Sequence, residues 1–383
     1  MYKRCLFVTS IMALFTIVAS AQVTAVATGL NNPRGLAFGP GGILYVGEAG
    51  LGAGNGAGGV GFGQGFTGSV GEILDVTSAN PTYRRIITGL ASHADTGGVI
   101  GPDGVSPLGN GNIHIIMADS TMKVLTLYPT TSAAIAYEFG KLLQSSQSGQ
   151  WKVVANVGDF DYQWAAQNKN QPWAPPPPQF PDANPYAVLS VPGHEYIADA
   201  GSNTIDEVDE NGTVRIIAFV PNPIVNSAVA SDSVPTCVAQ GADGFLYVGT
   251  LAFGAASASH FMQPESKVYR IDPTLSNAIL TDSDVWASGF YPITGCGFGP
   301  GAFYVTEYFT AKPFSPPGAL VKVALNPDGS AGTRTVMGGG QLQFPNGFAA
   351  GPDGSVYVAN NSTSPGVARS PGAAVGQVVR VDH

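Results

Sequence analysis

Charged side chains are scarce in this chain of 383 residues: 17 Lys and Arg and 26 Asp and Glu make up only 11% of it. So few basic residues, outnumbered by acidic ones, leave no electrostatic footprint for DNA or RNA, and no nucleic-acid partner is expected. The five histidines, His93, His114, His194, His260 and His383, show neither HExxH nor any other paired-ligand spacing. GxSxG and Walker motifs are missing as well. The one formal GxGxxG match, Gly54 to Gly59, sits in a glycine-rich loop between two expected strands and opens no helix, which argues against a dinucleotide site. Long hydrophobic runs are confined to the first residues, so no membrane span is expected.

What those first residues hold is a secretory signal. Lys3 and Arg4 precede the apolar run Cys5 to Val18, and Ala19-Ser20-Ala21 follows as an A-x-A site, giving an expected mature start at Gln22 and an exported, secreted or periplasmic protein. Removing residues 1–21 leaves 15 basic residues against 26 acidic ones, a net charge of −11, and two cysteines, Cys237 and Cys296. These fall on first strands of two successive repeats with opposite parity, so a disulfide and two buried thiols both remain open.

With 51 glycines and 29 prolines the chain is rich in turns, yet 44% of it is apolar and patterned as short strands. The unit is clearest at Phe344 to Asn360, FPNGFAAGPDGSVYVAN, where two strands flank the turn Gly351-Pro352-Asp353-Gly354. Relatives begin at Asn32, Gly101, Asn184, Val234 and Tyr291. Aligned on Pro33, Pro102, Pro185, Pro235, Pro292 and Pro345, they step by 69, 83, 50, 57 and 53 residues, the spacing of four-stranded propeller blades with inserted loops. The expected fold is all-β: a six-bladed β-propeller over residues 22–383 with four antiparallel strands per blade. The sixth repeat ends after GQVVRV with no fourth strand, and VTAVATGL from Val23 supplies it, so the N-terminal strand is expected to close the last blade. The 83-residue step is the one place for a seventh blade, through the strand-like KVLTLYP from Lys123. An insertion with helical character at AIAYEFGKLLQSS is the favoured reading.

Long segments join second to third strands or one blade to the next, which puts them all on one face, as for binding loops on a rigid scaffold. The order of GLNNPRGLAFGPGGILYVGEAG, GPDGVS, WKVVANVGDFDYQWAAQNKN, DANPYAVLSVPGHEYIADAG, VPTCVAQGADGFLYVGT and FPNGFAAGPDG resembles the ScyD/ScyE family of exported propellers, named for members encoded with scytonemin pigment biosynthesis. NHL and SMP-30-type repeats are a looser likeness. The resemblance implies a propeller fold and export, and brings no reaction with it.

On the elaborated face the second strands end at Glu48, Asp119, Asp199, Thr250, Glu307 and Asn360, and Arg34, Asn184 and Asn346 lie beside the first strands. With His93 and Asp95, which share a long loop on this face and are the best acid–base pair although a solvated loop is the favoured reading, these residues are the candidate channel-mouth site: Arg34, Glu48, His93, Asp95, Asn184, Asp199, Glu307, Asn346 and Asn360. Carboxylates and amides in such a ring suit a cation such as Ca²⁺, with Glu48, Asp199, Glu307 and Asn346 as candidate ligands. The alternative is that they cap strands and satisfy loop backbone. SMP-30-type lactonases hold a divalent cation in such a mouth. Phe344-Pro345-Asn346-Gly347 resembles their segment carrying an Asn ligand, but Asn31-Asn32-Pro33-Arg34 replaces their Glu, and Arg34 would repel a cation. Asp209-Glu210-Asn211-Gly212 reads as a hairpin turn. Trp164, Trp173, Phe180 and Tyr186 around Pro175 to Pro178 read as an aromatic lid or as a rigid packed loop. The functional expectation is a monomer that binds a small molecule, glycan or protein partner on one face without catalysis, the alternative being a metal-dependent extracellular hydrolase or lyase.

Overall fold

The computed structural model describes residues 21–54, 60–146, 148–175, 179–225, 228–229, 231–252, 264–310, 313–365 and 375–382. Residues 1–20, which carry nearly all of the expected signal, most of the Gly54 to Gly59 match, Pro176 to Pro178, His260 and His383 lie outside them.

Six blades of four antiparallel strands follow one another around a ring, two of them extended at the outer edge by a short fifth strand, Gly98–Ile100 and Ala278–Ile279. Blade 1 runs Pro33–Phe38, Leu44–Glu48, Gly63–Leu74 and Thr82–Asp95, and blade 2 runs Pro102–Pro107, Asn112–Met117, Lys141–Ser146 and Trp151–Asn156. Blade 3 comprises Pro185–Val191, His194–Asp199, Thr204–Asp209 and Val214–Phe219, and blade 4 comprises Pro235–Gln240, Leu246–Thr250, Ser266–Ile271 and Val285–Phe290. Blade 5 is Ile293–Gly299, Ala302–Glu307, Ala319–Leu325 and Ala331–Met337. Blade 6 takes Phe348–Ala350, Val356–Asn360 and Gly376–Val381 from the end of the chain and Val23–Leu30 from its start. Val23 pairs with Val381 and Leu30 with Gly376, so the ring closes as the repeat count requires.

First strands line the axis, each touching the first strand of the next blade. Their close approach explains the recurring Pro-x-Gly. A Cβ at Gly347 would stand 2.3 Å from the Arg34 carbonyl oxygen, and one at Gly35 would stand 2.9 Å from that of Asp103, so neighbouring inner strands can meet only where no side chain intervenes. Second strands such as Leu44–Glu48 are buried on both sides, because blade packs on blade. Six apolar clusters fill the six blade interfaces, for example Tyr45, Ile87, Ile113 and Leu143 between blades 1 and 2. Cys237 and Cys296 form a disulfide between the first strands of blades 4 and 5, resolving the open choice.

The 83-residue step holds an insertion, not a blade. KVLTLYP falls in helix α1 (Thr121–Leu127), whose N-cap Ser120 accepts from the Lys123 N–H, and a second helix, α2, spans Ala133–Glu138. The long segment before blade 3 begins as helix α3 (Val157–Asn168), capped by Asn156. Trp164, Trp173 and Phe180 close on Phe219 with ring centroids 4.7–6.1 Å apart, the rigid packed loop of the two readings, whereas Tyr186 lies apart on the axis. Asp209 to Gly212 forms the expected hairpin turn.

Candidate functional site

Four of the six second-strand ends share one local role. The side chains of Glu48, Asp199, Glu307 and Asn360 accept the backbone N–H of Asn31, Asn184, Tyr291 and Gln343 at 2.6, 2.8, 2.9 and 2.7 Å, each pinning the chain entering its own blade. Glu48 is the most occupied. It also accepts from Ser69 Oγ at 3.0 Å, from Arg85 at 2.6 and 2.8 Å and from the Tyr83 hydroxyl. Burial raises the Glu307 carboxyl above its ordinary range. Asn346 Nδ2 donates to the Tyr186 hydroxyl at 2.6 Å across the axis. Glu48, Asp199, Glu307 and Asn346 are not brought together, and no group of three His, Cys, Asp or Glu among the described residues is arranged to hold a metal ion.

Four other candidates do converge. Arg34, His93, Asp95 and Asn184 line one pocket of about 280 Å³ at the mouth, together with Asp119, Lys123, Tyr128 and the 97–100 turn. His93 and Asp95 are not on a solvated loop. The fourth strand of blade 1 continues to Asp95 and pairs with Gly98–Ile100, and this burial leaves His93 only 3% exposed. Gln64 Nε2 lies 2.8 Å from His93 Nδ1. With that amide donating, Nε2 carries the ring proton, and it has no hydrogen-bond partner among the described residues. It sits 3.7 Å from Asp95 Oδ2. Asp95 in turn accepts the Gly97 N–H at 2.6 Å and the Tyr128 hydroxyl at 3.1 Å, and the Tyr128 and His93 rings lie 4.4 Å apart. Burial, with Asp95 adding to it, raises the Tyr128 hydroxyl.

Both cations of the wall are compensated. Arg34 donates to the carbonyls of Ser362 and Val99 at 2.5 and 2.6 Å and stands 3.6 Å from Asp103. Lys123 bridges Asp119 and Asp182 at 2.8 and 2.7 Å. Burial works against its charge, but the two carboxylates hold its proton well above the ordinary range. Asp95 alone has no Lys or Arg partner among the described residues, which leaves the pocket with uncompensated negative charge. Behind Arg34, first strands of all six blades enclose an axial cavity of about 70 Å³. Asp103 lines it with neither oxygen hydrogen-bonded among the described residues, and burial pushes its carboxyl up to about 7 despite Arg34. Tyr186, in the same cavity, is pushed up to about 12, chiefly by burial.

Lys123 and Tyr128 were not among the candidate residues, since a strand reading of that stretch hides their direction. Ser120 three residues before Lys123 was the available helix signal.

A ring of six four-stranded blades closed by the N-terminal strand places the molecule among the six-bladed β-propellers, and solved structures match it over nearly its whole length at low identity. Aldose sugar dehydrogenase from Streptomyces coelicolor is 15% identical, with a TM-score of 0.55 over 95% of this chain and 98% of that one. A glucose dehydrogenase-type oxidoreductase from Thermus thermophilus is 14% identical, with a TM-score of 0.55 over 94% and 100%. A family AA12 carbohydrate-active enzyme from Trichoderma reesei is 11% identical, with a TM-score of 0.54 over 98% and 100%. No family model and no curated protein matches the sequence. At such identities the likeness establishes the fold.

Proposed function

We propose that this chain is an exported propeller of ScyD/ScyE type that binds a small hydroxylated molecule, of monosaccharide size and neutral or cationic, in the pocket between blades 1 and 2. The observation that carries this reading is the buried His93 Nε2–H, without a hydrogen-bond partner among the described residues, in the wall of a cavity that also offers the Asp95 carboxylate and the Tyr128 ring. A buried donor left without an acceptor costs about 1–3 kcal/mol, which a ligand hydroxyl would recover. Alternating donors and acceptors beside an aromatic face suit a sugar ring or polyol. The uncompensated charge of Asp95 disfavours anions. The sugar-directed activities named for the structural neighbours make aldoses and amino sugars the first compounds to screen.

Titration calorimetry with a panel of neutral, amino and acidic monosaccharides tests this. Binding of neutral or amino sugars, weakened about tenfold by His93→Ala for the loss of one such hydrogen bond, is expected. Binding confined to acidic sugars, or unaffected by His93→Ala, would refute it.

One observation favours a second, catalytic reading: the 3.7 Å His93–Asp95 pair is placed to move a proton at a bound ligand. Turnover of sugar lactones or esters that is abolished by Asp95→Asn while binding persists would establish it.

A further inference from the structure

Between α3 and blade 3 lie three aspartates with no exposed surface: Asp161 of the helix, Asp199 ending the second strand and Asp206 in the third. The Asp161 carboxyl lies near enough to both of the others for their charges to bear on it. Asp199 Oδ1 is fully used, accepting the backbone N–H groups of Asn184, Gly201 and Ser202 at 2.8, 2.7 and 2.8 Å. Asp206 Oδ2 accepts the Thr204 hydroxyl at 3.4 Å. Four oxygens remain without any donor among the described residues: both of Asp161, Oδ2 of Asp199 and Oδ1 of Asp206.

Three carboxylates buried together with no Lys or Arg partner among the described residues cannot all stay ionised. The surrounding charges are engaged elsewhere. Asp159, on the same helix, faces Asn156 and Lys141. Lys141, in the strand packed beneath the helix, is held by Thr121, Asn156 and Asp159. Lys123 of α1 is held by Asp119 and Asp182, and Glu207 of blade 3 by His194 and Arg215. The three carboxyls are also not arranged around a metal position. Protons are the remaining compensation, and two of them complete every bond. We propose that Asp161 and Asp206 are carboxylic acids in the folded protein. Asp206 donates to one Asp161 oxygen and Asp161 donates through the other to Asp199, making a two-proton site that docks α3 on blade 3. The two O–H groups satisfy all four orphaned oxygens, and the single remaining charge rests on Asp199, where three N–H groups already meet it.

Burial first, then the neighbouring carboxylates, raises Asp161 well above the ordinary range. Burial and then Asp199 raise Asp206 as well, outweighing Asp161 and Thr204, which lower it. An unfolded Asp releases its proton at about pH 4. Above that pH the folded state therefore binds more protons than the unfolded state, and this contribution to stability falls as pH rises toward the folded pKa values. Asp161→Asn should remove one proton from the balance while keeping both bonds, since the amide donates to Asp199 and its carbonyl accepts from Asp206. Asp103, Asp232 and Glu195, also raised by burial, add a background that both proteins share.

The experiment compares wild type, Asp161→Asn and Asp161→Ala by infrared spectroscopy in the protonated-carboxyl C=O region and by melting from pH 5 to 9, with EDTA or added Ca²⁺. The emission of Trp164, which lies on α3 and packs on Trp173 and Phe219, reports undocking of the helix. A buried protonated-carboxyl band in wild type that shrinks in Asp161→Asn is expected, with a shallower fall in Tm as pH rises and no effect of EDTA. Asp161→Ala should lose Tm at every pH. If Asp161→Asn does not fold, Asp206→Asn serves the same comparison, because it too can donate to Asp161 and accept from Thr204. No such band in wild type, the same pH slope in the Asn variant, or a Tm lowered by EDTA and restored by Ca²⁺ would overturn the proposal.

Discussion

Glu48 meets four residues at once, and what it holds is the crossing from the ring-closing strand into blade 1. Asn31 N–H lies on that crossing, and Tyr83 and Arg85 reach Glu48 from the outer strand. Glu48→Ala removes the carboxylate from a partly exposed Arg85 and the acceptor of the Asn31 N–H, and should cost about 1–3 kcal/mol in urea unfolding. Binding in the pocket should be unchanged, because none of Glu48's partners lines it. Residue type alone could not separate this role from a ligand's. A carboxylate at a strand end serves a backbone N–H or a bound ion with the same atoms, and only the partners decide. His93 shows the converse. Its placement in a loop hid that the strand runs on to Asp95 and carries the imidazole inside, a consequence of the pairing with Gly98–Ile100 that no local pattern announces.

Among elements, the repeat hairpins were legible because each carries its own turn residues and its own apolar alternation. The insertions were not, since their helices form where tertiary contacts place them. α1 spans only seven residues, too short to be stable alone. The disulfide belongs to this scale too. It joins first strands of adjacent blades across a sequence separation of 59 residues, so by the chain-entropy account its loss should cost about 4 kcal/mol. The Cys237→Ser, Cys296→Ser double variant should therefore melt lower than the oxidised wild type and match the reduced wild type. A double variant as stable as the oxidised protein would show that blade packing alone carries this interface.

For the whole molecule, blade count and closure followed from counting strands, because a ring admits no unpaired edge. Deleting residues 23–30 should expose the edge of Gly376–Val381 and remove Val26, Ala27 and Leu30 from the cluster between blades 6 and 1, lowering the melting temperature of the entire domain. An unchanged melting temperature would mean that the strand adds nothing to the ring.

The same closure sets an order in time. The strand made first waits for the strand made last, so the most distant contact in the chain is the one that completes the fold, and such contacts form slowly. A nascent chain that has not yet reached residue 376 holds an open arc of blades, and its ring cannot lock before that strand is made. Until then the N-terminal strand offers an unpaired edge to any extended segment or chaperone that can pair with it.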